Sequence, residues 1–134
     1  MATTTSSHPH FDDRGALEWE TDFTSALVHA RRQSKLVFIE YGREQCGQCR
    51  ALVQSVIPRP EISDILREHF VALAIDCDEA PEEVDELAAK LEDATMLPFV
   101  LIVDAQGQFI EGNGGVIEAK ALERMLSRLA DQDD

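Results

Sequence analysis

The sequence predicts one α/β domain, with a central mixed sheet of four to five strands and helices on both faces. The chain has 134 residues, of which 44% are hydrophobic, and this is enough for one hydrophobic core. Segments with helical spacing alternate with short apolar runs, as in parallel strands joined by crossover helices. Near the end, an apolar run, a turn at residues 104–107 and a second extended segment predict an antiparallel hairpin.

In the first half of the chain, apolar residues recur with helical spacing from Trp19 to Ala30, and residues 36–41 form an apolar strand. A helix is expected to open at the cysteine pair that follows and to end before Pro58, because proline cannot continue a helix. Residues 62–70 again show helical spacing. The predicted order is therefore helix, strand, helix, helix.

The second half is predicted to contain a buried strand at 70–76, a helix that begins at Pro81, a strand at 99–103 and a last helix around 122–129. The hairpin partner of the 99–103 strand starts at Gln108. The glycines that follow are expected to break this partner strand: Gly112, Gly114 and Gly115.

The two ends of the chain are polar. Residues 1–13 are expected to form a flexible tail in which His8 and His10 are solvated rather than metal ligands. Residues 14–130 form the single domain, and the acidic end at 131–134 is expected to fray. The N-terminus has neither the basic start nor the apolar stretch of a secretory signal, which predicts a cytoplasmic protein, or a periplasmic one if a leader precedes this sequence.

The charge is strongly acidic and unevenly distributed. A formal net charge of −14 argues against binding to nucleic acid or to an anionic membrane surface. Residues 76–93 hold nine acids and one base, which predicts a solvated acidic face where a protein partner should be basic. The apolar runs are too short to span a bilayer, so no membrane insertion is expected.

Two of the three cysteines stand as Cys46-Gly47-Gln48-Cys49, after a predicted strand and at the start of a predicted helix. A Cys-x-x-Cys pair near a βαβ pattern is typical of a redox motif. The helix N-terminus stabilises the thiolate of Cys46, which is the attacking species in disulfide exchange. Cys49 lies one turn further on and is less exposed, where it can resolve a mixed disulfide.

Three nearby side chains bear on this pair. Arg43 and Arg50 flank it, either favouring the thiolate or lying on the surface as ordinary arginines. Cys77 follows the 70–76 strand between acidic residues, which disfavour a thiolate. It is therefore interpreted as a semi-buried structural thiol.

In their order along the chain, these motifs resemble a thioredoxin-fold thiol–disulfide oxidoreductase. The resemblance rests on strand 37–41 before the cysteine pair, strand 71–76, and Met96-Leu97-Pro98-Phe99 before the next strand, and it covers residues 19–129. The long first helix, followed by a lysine, is similar to the branch that includes envelope disulfide reductases and small disulfide isomerases.

The resemblance implies a role for each residue that matches the motif. Cys46 would be the nucleophile, Cys49 the resolving thiol, and Glu40 the buried acid that exchanges a proton with Cys49. A carboxyl group within an apolar strand suits a general base, because burial favours the form that holds a proton.

Substrate contacts are implied at four positions. Pro98 corresponds to a cis-proline against the active site, and it would turn the backbone of Leu97 outward to pair with the substrate main chain. Gly47 and Gln48 would contribute contacts between the cysteines. No cofactor or metal is expected, and the expected partners of this monomer are protein disulfide substrates and a redox donor or acceptor protein.

The chain also departs from thioredoxins proper. Gln45 stands where they have tryptophan, Gln48 where they have proline, and Ala72 where a lysine often neighbours the buried acid. The direction of exchange is therefore not implied. Two alternatives stay open: a metal or iron–sulfur module that uses Cys46 and Cys49, and a thioredoxin-fold interaction module without catalysis.

Overall fold

The computed structural model describes residues 7–91 and 94–132. Its strands are β1 (Trp19–Glu20), β2 (Leu36–Gly42), β3 (Phe70–Asp76), β4 (Phe99–Val103) and β5 (Phe109–Gly114). Its helices are α1 (Phe23–Gln33), α2 (Gly47–Ala51), α3 (Pro60–His69), α4 (Glu82–Ala88) and α5 (Ala119–Gln132), and α2 runs directly into a π-helical turn at Leu52–Val56.

The strands of the described residues form one mixed sheet in the order β1-β3-β2-β4-β5. The central strand β2 is parallel to β3 and antiparallel to β4, while β1 is parallel to β3 and β5 is antiparallel to β4. This confirms the predicted mixed sheet of four to five strands. In the part of the chain described, no helix is both long and apolar enough to cross a membrane.

Side chains of β2 alternate between two hydrophobic clusters, as the two-residue period of a strand requires. Val37 and Ile39 point to the cluster that α1 and α4 cover. Phe38 points to the opposite cluster, which contains Cys49 and is covered by the segment after the cysteines, α3 and α5. Glu40 has the same parity as Phe38. It therefore lies on the face where the cysteine helix packs.

The structure differs from the prediction at the start of the domain. Trp19 lies in β1, beside Ala72 of β3, and the helix begins only at Phe23. Asp22 caps α1 by accepting a hydrogen bond from the backbone N–H of Ser25 at 2.9 Å. Trp19 and Phe23 stand four residues apart, which is also the spacing of one face of a helix. The sequence pattern therefore predicted a helix that begins at Trp19.

The predicted flexible tail is corrected for the residues that the structure describes. His8, Phe11 and Asp13 are buried. The carboxylate of Asp13 accepts hydrogen bonds from the backbone N–H groups of Gly15 and Leu17 and from the indole N–H of Trp19. The segment from His8 onward is thus part of the domain, whereas residues 1–6 lie outside the described residues. At the other end α5 continues to Gln132, and the rest of the predicted frayed end lies outside the description as well.

The glycines of the hairpin do not break β5, which continues through Gly112 and Gly114. A Cβ atom on Gly112 would lie 2.8 Å from the carbonyl oxygen of Val100 on β4 and 3.1 Å from the side chain of Leu91. Glycine at this position permits a close approach of the two strands. The prediction of a break is therefore wrong.

We expect Gly112→Ala to lower the free energy of unfolding by about 1–3 kcal/mol, because the backbone of β4 has to shift away from the added methyl group. Denaturant titration measures this change. Gly47→Ala is the control: nothing lies within 4 Å of its Cβ position, so its stability should stay close to that of the unaltered protein. Equal stability of both variants would contradict the close approach.

Candidate active site

The two cysteines of the motif are joined in a disulfide, with their Cα atoms 5.2 Å apart. Cys46 is the N-cap residue of α2, and its Sγ accepts a hydrogen bond from the backbone N–H of Cys49 at 3.1 Å. Cys49 has an exposed fraction of 0%, whereas Cys46 is half-buried. An attacking or attacked partner therefore reaches Cys46 first, and the N–H of Cys49 is placed to stabilise a thiolate on it.

The two flanking arginines have other partners. The guanidinium of Arg43 donates to both carboxylate oxygens of Asp78, at 2.8 and 3.2 Å. The Cζ of Arg50 lies 5.8 Å from the ring centre of Phe11. These contacts favour the interpretation of both as surface arginines over a direct role at the cysteine pair.

Glu40 lies in the middle of β2, between Ala74 of β3 and Val100 of β4, and its exposed fraction is 2%. Two residues later Gly42 leaves a gap on the same face. A Cβ atom on Gly42 would lie 2.6 Å from Oε2 of Glu40 and 2.7 Å from Sγ of Cys49. Oε2 of Glu40 and Sγ of Cys49 thus both border the space that Gly42 leaves open.

The predicted proline site lies at the same end of the sheet. The Leu97–Pro98 peptide bond is cis, as the resemblance implies. Tyr41 of β2 pairs with Phe99 of β4, so one further step in this antiparallel register sets Pro98 beside Gly42. Leu97 is half-buried and packs on the same hydrophobic cluster as Cys46.

The remaining predicted contacts lie on the surface near the disulfide. Gly47 and Gln48 are exposed in the first turn of α2. Met96, which precedes the proline segment, is 56% exposed. The fold and the strand register therefore bring the predicted residues to one end of the sheet. Gly47 and Gln48 are the most exposed of them.

Sequence reasoning missed the partner of the buried acid. Ala72, which stands where thioredoxins often have a lysine, pairs with Phe38 rather than with Glu40. The partner is His8, whose Nε2 lies 2.7 Å from Oε1 of Glu40. No local pattern marks this contact, because the two residues are 32 positions apart and His8 stands in a polar segment.

Cys77 is half-buried at the end of β3. Burial raises the pKa of the Cys77 thiol, and the carboxylates of Asp78 and Asp76 raise it further, whereas the guanidinium of Arg43 lowers it. Among the described residues, Asp76, Cys77 and Asp78 are also the one group of three potential metal ligands that lie together, and this group does not include the disulfide. A raised pKa keeps the Cys77 thiol protonated, which agrees with its interpretation as a structural thiol.

A thioredoxin-type sheet with a Cys-x-x-Cys disulfide at a helix start, beside a cis-proline, defines the class of this protein. Residues 18–105 match the family model described as thioredoxin-like, and the chain belongs to this family. Over 79 residues it is 27% identical to spermatogenesis-associated protein 20 of Rattus norvegicus. This match covers 59% of the chain, which spans about a tenth of the length of that curated relative.

Solved structures show the same fold. A thioredoxin from Thermus thermophilus is 20% identical, with a TM-score of 0.70 over 88% of this chain and 90% of that one. A putative disulphide-isomerase from Bacteroides thetaiotaomicron is 22% identical, with a TM-score of 0.67 over 99% of both chains. A disulphide isomerase from Xylella fastidiosa Temecula1 is 19% identical, with a TM-score of 0.64 over 78% of this chain and 86% of that one.

We expect Gly42→Ala to separate Glu40 from Cys49, because the added methyl group would occupy the space between them. The rate at which Cys49 resolves a mixed disulfide on Cys46 should fall about tenfold, since small displacements of reacting groups are costly. Gly112→Ala is the matched control, as it should lower stability without changing this rate. An unchanged rate in Gly42→Ala would contradict the proposed proximity.

We also expect Cys77 to alkylate slowly. In the oxidised protein it is the one free thiol of the three cysteines. Its raised pKa means that its reaction with iodoacetamide at pH 8 should be slower than that of free cysteine. Arg43→Gln should slow it roughly threefold more, because the cation that lowers this pKa is lost.

Mass spectrometry at fixed times measures both rates. Arg59→Gln removes an exposed arginine whose side chain donates to the Ser55 carbonyl, and it should leave the rate unchanged. Faster alkylation of Cys77 in Arg43→Gln would contradict the prediction that the charge of Arg43 lowers the pKa of this thiol.

Proposed function

We propose that this protein catalyses thiol–disulfide exchange with protein substrates through Cys46 and Cys49. The observation that carries the proposal is the asymmetry of the pair: a half-buried N-cap cysteine is bonded to a fully buried one, which faces a buried carboxylate. Disulfide exchange needs an accessible nucleophile and a second thiol that is protected until the mixed disulfide has formed.

In the reducing direction, the Cys46 thiolate attacks one sulfur of a substrate disulfide. A bond forms between Cys46 and that sulfur, and the second substrate sulfur leaves as a thiolate that takes up a proton. The backbone N–H of Cys49, which donates to Sγ of Cys46, stabilises the attacking thiolate before this step.

In the second step Cys49 attacks Sγ of Cys46. Its thiol proton goes to the carboxylate of Glu40, the first substrate sulfur leaves as a thiolate, and the Cys46–Cys49 disulfide closes. The substrate disulfide has gained two electrons and the cysteine pair has lost two. A donor thiol protein restores the reduced pair, and the same steps in reverse oxidise a substrate.

Leu97 and Pro98 support a binding mode for the substrate chain. The segment before β4 lies beside Gly42, and we propose that the backbone of Leu97 pairs there with the substrate main chain. Gly47 and Gln48, exposed in the first turn of α2, contribute the opposite side of this contact. The exchange itself requires no bound cofactor.

Insulin reduction by dithiothreitol tests the activity. We expect turnover above background for the unaltered protein and none for Cys46→Ser, which lacks the attacking thiolate. Cys49→Ser, reduced beforehand and freed of dithiothreitol, should form a mixed disulfide with insulin that persists, because neither the resolving thiol nor another reductant is present. Mass spectrometry of the trapped adduct identifies Cys46 as the attachment point.

Cys77→Ser is the matched control and should retain full turnover. Absence of turnover in the unaltered protein, or full turnover in Cys46→Ser, would overturn the proposal in favour of an interaction module. Stoichiometric metal or an iron–sulfur chromophore bound through Cys46 and Cys49 in the purified protein would favour the metal-binding alternative.

A further inference from the structure

His8 is a buried histidine that packs against two aromatic side chains. Its exposed fraction is 6%, and its ring stacks on Phe11 and meets the edge of Trp19, with ring centres 5.4 and 4.8 Å apart. It lies outside residues 18–105, which match the family model. The ring is held between two aromatic side chains, with Nε2 directed at Glu40.

The hydrogen bonds assign the tautomer of this ring. Nδ1 of His8 accepts the backbone N–H groups of His10 at 3.0 Å and Phe11 at 3.2 Å, so it carries no proton. A neutral imidazole then holds its proton on Nε2. The 2.7 Å contact is therefore a hydrogen bond from Nε2–H of His8 to Oε1 of Glu40.

A donor at this position has two consequences for Glu40. It gives the buried carboxylate a hydrogen-bond donor, and the carboxylate is the form able to take a proton from Cys49. It also fixes the rotation of the carboxyl group, since Oε1 is held by His8 while Oε2 faces Sγ of Cys49. Without this donor, the carboxyl group of Glu40 would lose a hydrogen bond and be free to turn away from Cys49.

We propose that His8 is a positioning residue for the resolving step, and that it holds the carboxylate of Glu40 aimed at Cys49. This inference rests on the proposed exchange function, and it makes the second step dependent on the N-terminal segment. The first step, the attack by Cys46, does not involve this contact.

A cavity of about 210 Å³ lies beside the pair. His8 and Glu40 both line it, together with His10, Asp76 and Glu79. Nε2 of His10 lies 3.5 Å from a carboxylate oxygen of Asp76 on β3. These titratable groups face the pair from the N-terminal segment, from β3 and from the loop after it, and Cys49 faces it from α2.

Two substitutions separate the donor of His8 from its local structural role. In His8→Asn the side-chain oxygen can still accept the N–H groups of His10 and Phe11, but no atom reaches Glu40. In His8→Gln the amide N–H can reach the position of Nε2, while the local acceptor is lost. Glu40→Gln removes the proton acceptor itself.

The test follows the reaction of the reduced protein with excess 5,5′-dithiobis(2-nitrobenzoate), in a Cys77→Ser background. The first thionitrobenzoate is released when Cys46 attacks the reagent, and the second when Cys49 resolves the mixed disulfide. At pH 7 we expect His8→Asn to slow the second release about tenfold or more, in line with the loss of general-base assistance, and to leave the first unchanged.

His8→Gln should restore most of the second rate. In Glu40→Gln the second release should already be slow, and adding His8→Asn should slow it no further, because the two residues act on one proton transfer. Equal slowing by His8→Asn and His8→Gln, equal slowing of both releases, or an additive effect with Glu40→Gln would overturn the proposal. If the unaltered protein shows no first release, the exchange function itself fails.

Discussion

Much of this structure depends on one constraint, which is that the carboxylate of Glu40 is buried in the central strand. An ionised group inside a hydrophobic core is costly unless it is hydrogen bonded. Glu40 meets this requirement through His8, which can reach it only if the N-terminal segment folds across the sheet. Phe11 and Trp19 hold the imidazole in place, and the buried carboxylate of Asp13 ties the following loop to the Trp19 indole.

The same strand also brings the reactive groups together. Gly42 ends β2 where the sulfur of Cys49 approaches from α2 and where the register with β4 sets Pro98. Because β2 pairs with β3 on one side and β4 on the other, its register sets where Glu40 and Gly42 lie relative to Pro98. The half-buried sulfur of Cys46, the buried sulfur of Cys49 and the buried carboxylate of Glu40 thus lie together at this end of the sheet.

The acidic segment forms a separate feature of the surface. Tyr41 at the end of β2 donates to a carboxylate oxygen of Asp85 on α4 at 2.7 Å, and burial together with this carboxylate raises the pKa of the Tyr41 hydroxyl. Arg43 is held by Asp78 in the loop after β3. Acidic side chains therefore extend from α4 to the loop after β3, next to the end of β2.

Short-range patterns in the sequence predicted the three central strands and the helix that opens at Cys46, because side-chain periodicity and helix starts depend on neighbours a few residues apart. The burial of Glu40 was implied by the family resemblance. Such patterns could not distinguish a glycine that breaks a strand from Gly112, which permits close packing on β4. Nor could they place Trp19 in β1 or bring His8 to Glu40. Those outcomes depend on contacts between residues distant along the chain, which form only when the sheet and the segment that covers it pack together.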